Sequence, residues 1–181
     1  MGSVLLDMAI TLDGVVAGKE GGDIGLYDWY FAPSDDAAFV KNELLESIGA
    51  MIIGRRTFGE EPDGFDTPYT VPHFVLTHEA RETVSRGGME FIFVTEGIEH
   101  ALARARAAAG DRIVCVAGGV DTARQFIEAG LLDEIQLHVV PLIAGEGARL
   151  FGQIGAAFAK LEQTRVIEGS GVTHLRYRIA R

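Results

Sequence analysis

Three stretches of the chain put residues capable of chemistry directly after apolar runs. "AMIIGRRTFG" (50–59) ends an apolar run at Gly54 and continues with Arg55, Arg56 and Thr57. "HFVLTH" (73–78) closes on Leu76, Thr77 and His78, and "VCVAGGVDTA" (114–123) leads into Gly118, Gly119, Val120, Asp121 and Thr122. Guanidinium forks suit phosphate oxygens. Two cations at a helix start oppose its dipole, at about 0.3–1 kcal/mol per charge. An anion held by both would remove the conflict. The alternative is that both point into water, or pair with Glu60 and Glu61. Gly118 and Gly119 let backbone N–H groups form a concave nest at a helix start, which binds phosphate. The same pair also makes an ordinary tight turn. Thr77 and His78 could complete a pocket for a phosphate monoester.

Other chemistries fit less well. "GRRTFG" is not G-x-x-x-x-G-K-[ST], "AGGVDTA" is not G-x-G-x-x-G, and "EGSGV" is not a nucleophile elbow. His73, His78, His100, His138 and His174 show no ligand spacing, so no metal is expected, and most of them read as surface or strand-face residues. The single Cys115 lies in an apolar run and reads as buried and inert.

Positioning these residues requires strands that end together. "VLLDMAI" (4–10), "AMIIG" (50–54), "HFVLT" (73–77), "FIFVT" (91–95) and "RIVCVAGG" (112–119) are near-continuous apolar runs, expected of strands buried on both faces. Between them lie helical patterns. In "SDDAAFVKNELLESIG" Val40, Leu44 and Ile48 share a stripe, with Ser34 as N-cap and Gly49 as the stop. "GIEHALARARAAAG" ends at Gly110, and "VDTARQFIEAG" turns Ala123, Phe126 and Ile127 inward. "THLRYRI" alternates, with Leu175, Tyr177 and Ile179 on one face and His174, Arg176 and Arg178 on the other, after the turn "EGSG" (168–171). The expectation is an α/β fold. A central, mostly parallel sheet is flanked by helices, and half-solvated antiparallel strands are appended at the C-terminal end. Residues 59–72 read as a loop.

The 181 residues form one expected domain, 1–181, large enough for a proper core. With 26 Asp+Glu against 16 Lys+Arg and a net charge of -10, no basic face for nucleic acid is expected. No apolar run approaches a membrane span, the first residues lack a basic leader, and a cytoplasmic location is expected.

"MAITLDGVVAG", "IIGRRTFG", "FVLTH" and "VAGGVDTARQFI", in this order, resemble the dihydrofolate reductase fold. "GLLDEIQLHVVPLIAGEGARLF" (130–151) more closely resembles the reductase domain of the bifunctional riboflavin-biosynthesis deaminase/reductase and its stand-alone relatives. The resemblance implies NADPH as cofactor. It sets Gly54, Arg55, Arg56 and Thr57 by the phosphates, and Leu76, Thr77 and His78 near the adenosine 2′-phosphate. Gly118, Gly119, Val120, Asp121 and Thr122 would lie under the pyrophosphate, and Ala9, Val16 and Ala17 would border the nicotinamide. Asp35 falls where dihydrofolate reductases carry a catalytic carboxylate, although an acid after Ser34 stabilises any helix start. Trp29, Phe31, Asp35 and Phe58 would meet the substrate. Tyr27, Trp29, Tyr30 and Phe31 could stack on a planar heterocycle or pack on the core. The implied activity is hydride transfer of the 5-amino-6-(5-phosphoribosylamino)uracil reductase type. Alternatives are dihydrofolate or other pteridine reduction, and NADP binding without catalysis. The resemblance also implies a homodimer acting on a small molecule.

Overall fold

The computed structural model describes residues 2–31, 35–59, 67–152 and 159–180, the side chains of residues 35–37 excepted. The chain begins with β1 (Val4–Thr11) and β2 (Val15–Ala17), followed by α1 (Asp28–Phe31) and α2 (Asp35–Ser47). Then come β3 (Ile48–Gly54), α3 (Arg55–Phe58), β4 (His73–Leu76), β5 (Val84–Arg86) and β6 (Met89–Val94). The second half holds α4 (Ile98–Ala109), β7 (Ile113–Val116), α5 (Val120–Glu128), β8 (Glu134–Val140), β9 (Ala148–Arg149), β10 (Leu161–Gly169) and β11 (Val172–Ile179).

Among the described residues the main sheet runs β10-β11-β8-β1-β7-β3-β4-β6-β5, and β2 pairs with β9 apart from it. The six strands from β8 to β6 are mutually parallel, while β11, β10 and β5 join antiparallel. Alternation along β1 assigns its residues to two cores. Val4, Leu6, Met8 and Ile10 pack with Ala101, Leu102 and Ala105 of α4 and with Ala123 and Phe126 of α5. Leu5 and Ala9 pack on the opposite face with Trp29, Tyr30, Val40, Leu44 and Cys115. Both faces of the parallel strands are therefore covered, which is why their sequences lack alternation.

Two expectations need correction. Ile48 does not continue the helical stripe. The chain passes from Ser47 straight into β3, and Ile48 is its first, fully buried residue. Gly49 is a point of close approach rather than a helix stop: a Cβ there would lie 2.9 Å from the Ala109 Cα. β11 is also less solvated than its alternation suggests, whereas β10 is mostly exposed as expected. His138 and His174 are 1% and 3% exposed, because β11 is an interior strand with Trp29 of α1 packed on its histidine face, and His73, on the interior strand β4, is 0% exposed. His78 and His100 are at the surface. Ser34, Glu60, Glu61 and the loop core 60–66 lie outside the described residues.

Candidate functional site

The site begins where β1 and β7 part. Their ladder ends at Leu6–Val116, while β1 runs on to Thr11 beside β8. Ligands of open α/β sheets bind beyond the carboxyl ends of strands in such a crevice. At its β7 side two turns touch. The Gly54 N–H donates to the Gly118 carbonyl at 2.8 Å. A Cβ on Gly54 would meet Thr122 Oγ1 at 2.8 Å, and a Cβ on Gly118 would meet Thr57 Oγ1 at 3.2 Å. Gly118 has φ +129°, where an L side chain is disfavoured, so glycine suits both the space and the backbone here. The Gly118–Gly119 peptide is cis.

Gly54 is the N-cap of α3 and Gly119 that of α5, and neither helix start receives a side-chain cap. Backbone N–H groups at the start of the nine-residue α5 are thus left for an external acceptor. Arg55 and Arg56 are exposed, and Arg56 Nη1 reaches Asp121 Oδ2 at 3.5 Å. α3 is a single turn, so the dipole the arginines oppose is smaller than a full helix would make it. Leu76 is level with Gly54 in the sheet. Thr77 is buried, and its hydroxyl accepts the Glu79 N–H at 3.2 Å; His78 is exposed beside it.

On the β1 side, Ala9 is fully buried. Val16 and Ala17 lie on β2, which β9 and a latch at Asp13 hold in place. The Asp13 carboxylate accepts N–H groups of Ala144 at 3.0 Å and Gly145 at 2.9 Å, together with the Thr11 hydroxyl. These hydrogen bonds, the Thr11 one foremost, pull Asp13 down to about 2. Arg149 donates to the carbonyls of Asp13 and Gly145, closing the latch.

Of the residues expected to meet substrate, Trp29 is buried, with its ring 4.6 Å from His138 and 4.9 Å from His174. Its Nε1 has no hydrogen-bond partner among the described residues. Phe31 is 68% exposed. Phe58 is 1% exposed and packs on Phe91 and Phe93, each ring 5.2 Å away, so its part here is to fix the α3 turn. Asp35 begins α2, and its side chain lies outside the described residues.

The structure adds polar residues that the motifs did not mark. Asp7 Oδ1 accepts Gln136 Nε2 at 3.0 Å and lies 3.0 Å from His138 Nε2. His138 Nδ1 and His174 Nδ1 are 2.6 Å apart. Burial, reinforced by His138, pushes His174 down to about 4. Tyr27 leaves part of its ring in solvent and turns its hydroxyl inward to the backbone of Ala9; burial raises that hydroxyl to about 12. One sequence signal pointed here: Asp7 is the lone charge inside "VLLDMAI".

Comparison with known proteins agrees with this geometry. The RibD C-terminal domain family matches residues 3–175. The uncharacterized protein YyaP of Bacillus subtilis strain 168 is 27% identical over 184 residues, 96% of this chain and 93% of its own. A second B. subtilis protein, YwjB, is 27% identical over 155 residues, 83% of each chain. Among solved structures, a Shewanella sp. PV-4 protein provisionally assigned to riboflavin biosynthesis superposes with a TM-score of 0.74 at 25% identity, covering 99% of both chains. The deaminase/5-amino-6-(5-phosphoribosylamino)uracil reductase of Thermotoga maritima gives 0.69 at 17% identity, 99% of this chain against 57% of that one. Dihydrofolate reductase of Enterococcus faecalis, solved with NADP(H), gives 0.60 at 21% identity over 99% and 98%. The chain belongs to the RibD C-terminal domain family, a family of NADPH-dependent reductases with the dihydrofolate reductase-like fold.

Proposed function

We propose that this chain is a cytoplasmic NADPH-dependent oxidoreductase that reduces a small heterocyclic substrate of the 5-amino-6-(5-phosphoribosylamino)uracil type. The observation that carries the proposal is the contact between the two glycine turns, with the Gly54 N–H on the Gly118 carbonyl and no side-chain cap on either helix start. A dinucleotide fits such a cradle. Its pyrophosphate needs backbone N–H groups that no side chain occupies, and its charge needs cations free to turn toward it. Among the described residues, Arg55 and Arg56 meet that need, the second oriented by Asp121. Thr57 and Thr122 line the cradle floor, Gly118 and Gly119 with Val120 its wall, and Thr77 with His78 would receive a 2′-phosphate.

Bound NADPH would supply a hydride, and the chain would supply binding, orientation and exclusion of water. Ala9, Val16 and Ala17 would border the nicotinamide. The Trp29 N–H, buried without a partner among the described residues, is a donor suited to a carbonyl of a flat substrate. The exposed ring of Phe31 would cover the substrate's face.

Thermal unfolding with NADPH and with NADH, on the chain and on Arg56→Ala, tests this reading. NADPH at about 1,000 times its dissociation constant should stabilise the fold by about 4.1 kcal/mol. NADH should do less, and Arg56→Ala should lose part of the NADPH response. Equal silence toward both nucleotides would sink the reading. A normal NADPH response without oxidation on the ribosylaminouracil would favour a nucleotide-binding protein without catalysis.

A further inference from the structure

The sheet register sets His138 level with Ala9 on β1 and with His174 on β11, and sets Gln136 level with Asp7 and Arg176. Neighbouring same-face side chains on paired strands stand within contact distance. The imidazoles are therefore next to Ala9, the residue expected to border the nicotinamide, on the face covered by Trp29.

Counting protons defines what this cluster can do. An ionised carboxylate only accepts, so His138 Nε2, 3.0 Å from Asp7 Oδ1, carries a proton. The 2.6 Å contact between the two Nδ1 atoms must also hold one proton, since two lone pairs or two N–H groups would repel. A third proton can sit only at His174 Nε2, which is 3% exposed as a residue and has no hydrogen-bond partner among the described residues. With two protons the pair is neutral. With three it is a cation whose charge rests best on His138, against the carboxylate. A fourth is opposed, because burial and the charge of His138 push His174 down to about 4.

The surrounding charges are largely paired off, and Arg165 adds to the opposition to a charged His174. Arg165 is tied to Glu43 and Arg176 to Glu134, each pair at 2.6 Å, on the strands and helix packed around the cluster. Burial raises the Cys115 thiol and the Tyr30 and Tyr69 hydroxyls, which keeps them neutral. Asp7 is the open end, its side chain 15% exposed against 2% for His138.

We infer that Asp7, His138 and His174 form a buried proton store, and that Asp7 passes its proton to the heteroatom of the hydride acceptor. The inference rests on the reductase reading for its use, though not for its proton count. When hydride adds to the carbon of a C=N or C=O bond, the electron pair of that bond moves to the heteroatom and must take up a proton. The His138 Nε2 proton moves to the Asp7 carboxylate, and the Asp7 proton moves to that heteroatom. The imidazole pair falls from three protons to two, and one proton from solvent restores it. Asp7 is the catalytic group, and the two histidines are positioning and storing residues.

The test is ring-nitrogen NMR on the full chain with isotope-labelled histidine, from about pH 4 to about pH 9, the span in which imidazoles titrate. His138 and His174 should move together in one protonation step. Asp7→Asn should shift that step down by about one unit or more, through loss of the opposite charge. Independent titration of the two rings, or an unmoved step in the variant, overturns the store. If Asp7→Asn fails to fold, His174→Gln gives the second arm, in which the joint step must become that of a single ring. With NADPH and the ribosylaminouracil, Asp7→Asn should lower kcat by about 100-fold or more and move its pH profile, with KM for NADPH unchanged. An unchanged kcat overturns the donation step. A normal NMR step in a chain that NADPH does not stabilise overturns the reductase reading instead, so the two failures are distinguishable.

Discussion

The two flanks of β1 handle polar groups in opposite ways. Toward β7 and β3 the polar groups are backbone, held by Gly54, Gly118 and Gly119 in turns beside exposed arginines. Toward β8 and β11 they are side chains, with Asp7, Gln136, His138 and His174 bonded to one another under Trp29. A site for a large, multiply charged ligand must leave its donors uncapped and open. A site that holds one proton must be closed, because burial and fixed partners make a proton's position definite. The same sheet provides both, since the first flank lies at strand ends and the second lies mid-strand.

The largest expected effect separates the flanks at Gly54. A Cβ there would meet Thr122 Oγ1 at 2.8 Å and the Gly119 nitrogen at 3.3 Å. Gly54→Val should push the two turns apart, cost about 1–3 kcal/mol of stability as overpacking, and abolish stabilisation by NADPH. Differential scanning with and without nucleotide reads both effects. The histidine NMR step should be unmoved, because the cluster lies on β1, β8 and β11, away from the ends of β3 and β7. A full NADPH response in the variant would mean that the cradle lies elsewhere.

The second effect belongs to burial. His73 is buried on β4 with its Nδ1 2.7 Å from the Val71 carbonyl, and burial pushes it down to about 4 from its ordinary 6.5. A histidine with a depressed folded value binds more protons when unfolded, so stability rises with pH between about 4 and 6.5. At about 1.4 kcal/mol per unit this amounts to roughly 3 kcal/mol from His73, with His174 acting in the same direction. Urea unfolding at pH values spanning that window should show the rise, and His73→Leu should flatten it. Arg56→Ala should leave the slope alone. A slope abolished by the arginine variant would place its origin at the exposed turns rather than in the buried imidazoles.

The sequence discloses the two flanks unequally for the same physical reason. The glycine turns are local: a strand, a glycine and a helix start occupy adjacent positions, so "IIGRRTFG" and "VAGGVDTA" announce themselves. The parallel strands are equally legible, because double-sided burial leaves continuous apolar runs. Ile48 is misassigned because Leu44 and Ile48 satisfy helical spacing, while the close approach of Gly49 to Ala109, far along the chain, sets the actual boundary. The proton cluster joins residues 131 and 36 positions apart, and only sheet register brings them level. His174 shares its strand face with Arg176 and Arg178 in the sequence, and nothing local reveals that Trp29 will cover it.

The smallest effect tests the latch between β1 and β2. The Asp13 carboxylate, on the protein surface, holds the Ala144 and Gly145 N–H groups and the Thr11 hydroxyl. Its folded value of about 2 lies below the ordinary 3.8. Its contribution is therefore fully present above 3.8 and fades as the pH falls through about 2. In Asp13→Asn one carboxylate oxygen becomes an NH2 group that faces a donor, so a loop hydrogen bond is lost and the remaining ones lose their charge assistance. The variant should melt slightly below the parent at neutral pH, and the two melting temperatures should converge toward pH 2. Because β2 carries Val16 and Ala17, the NADPH response should weaken, while the histidine NMR step stays where it was. If the histidine step moved as well, the loop after β1 would be coupled to the buried cluster. The two flanks would then be one site with a shared support rather than two independent ones.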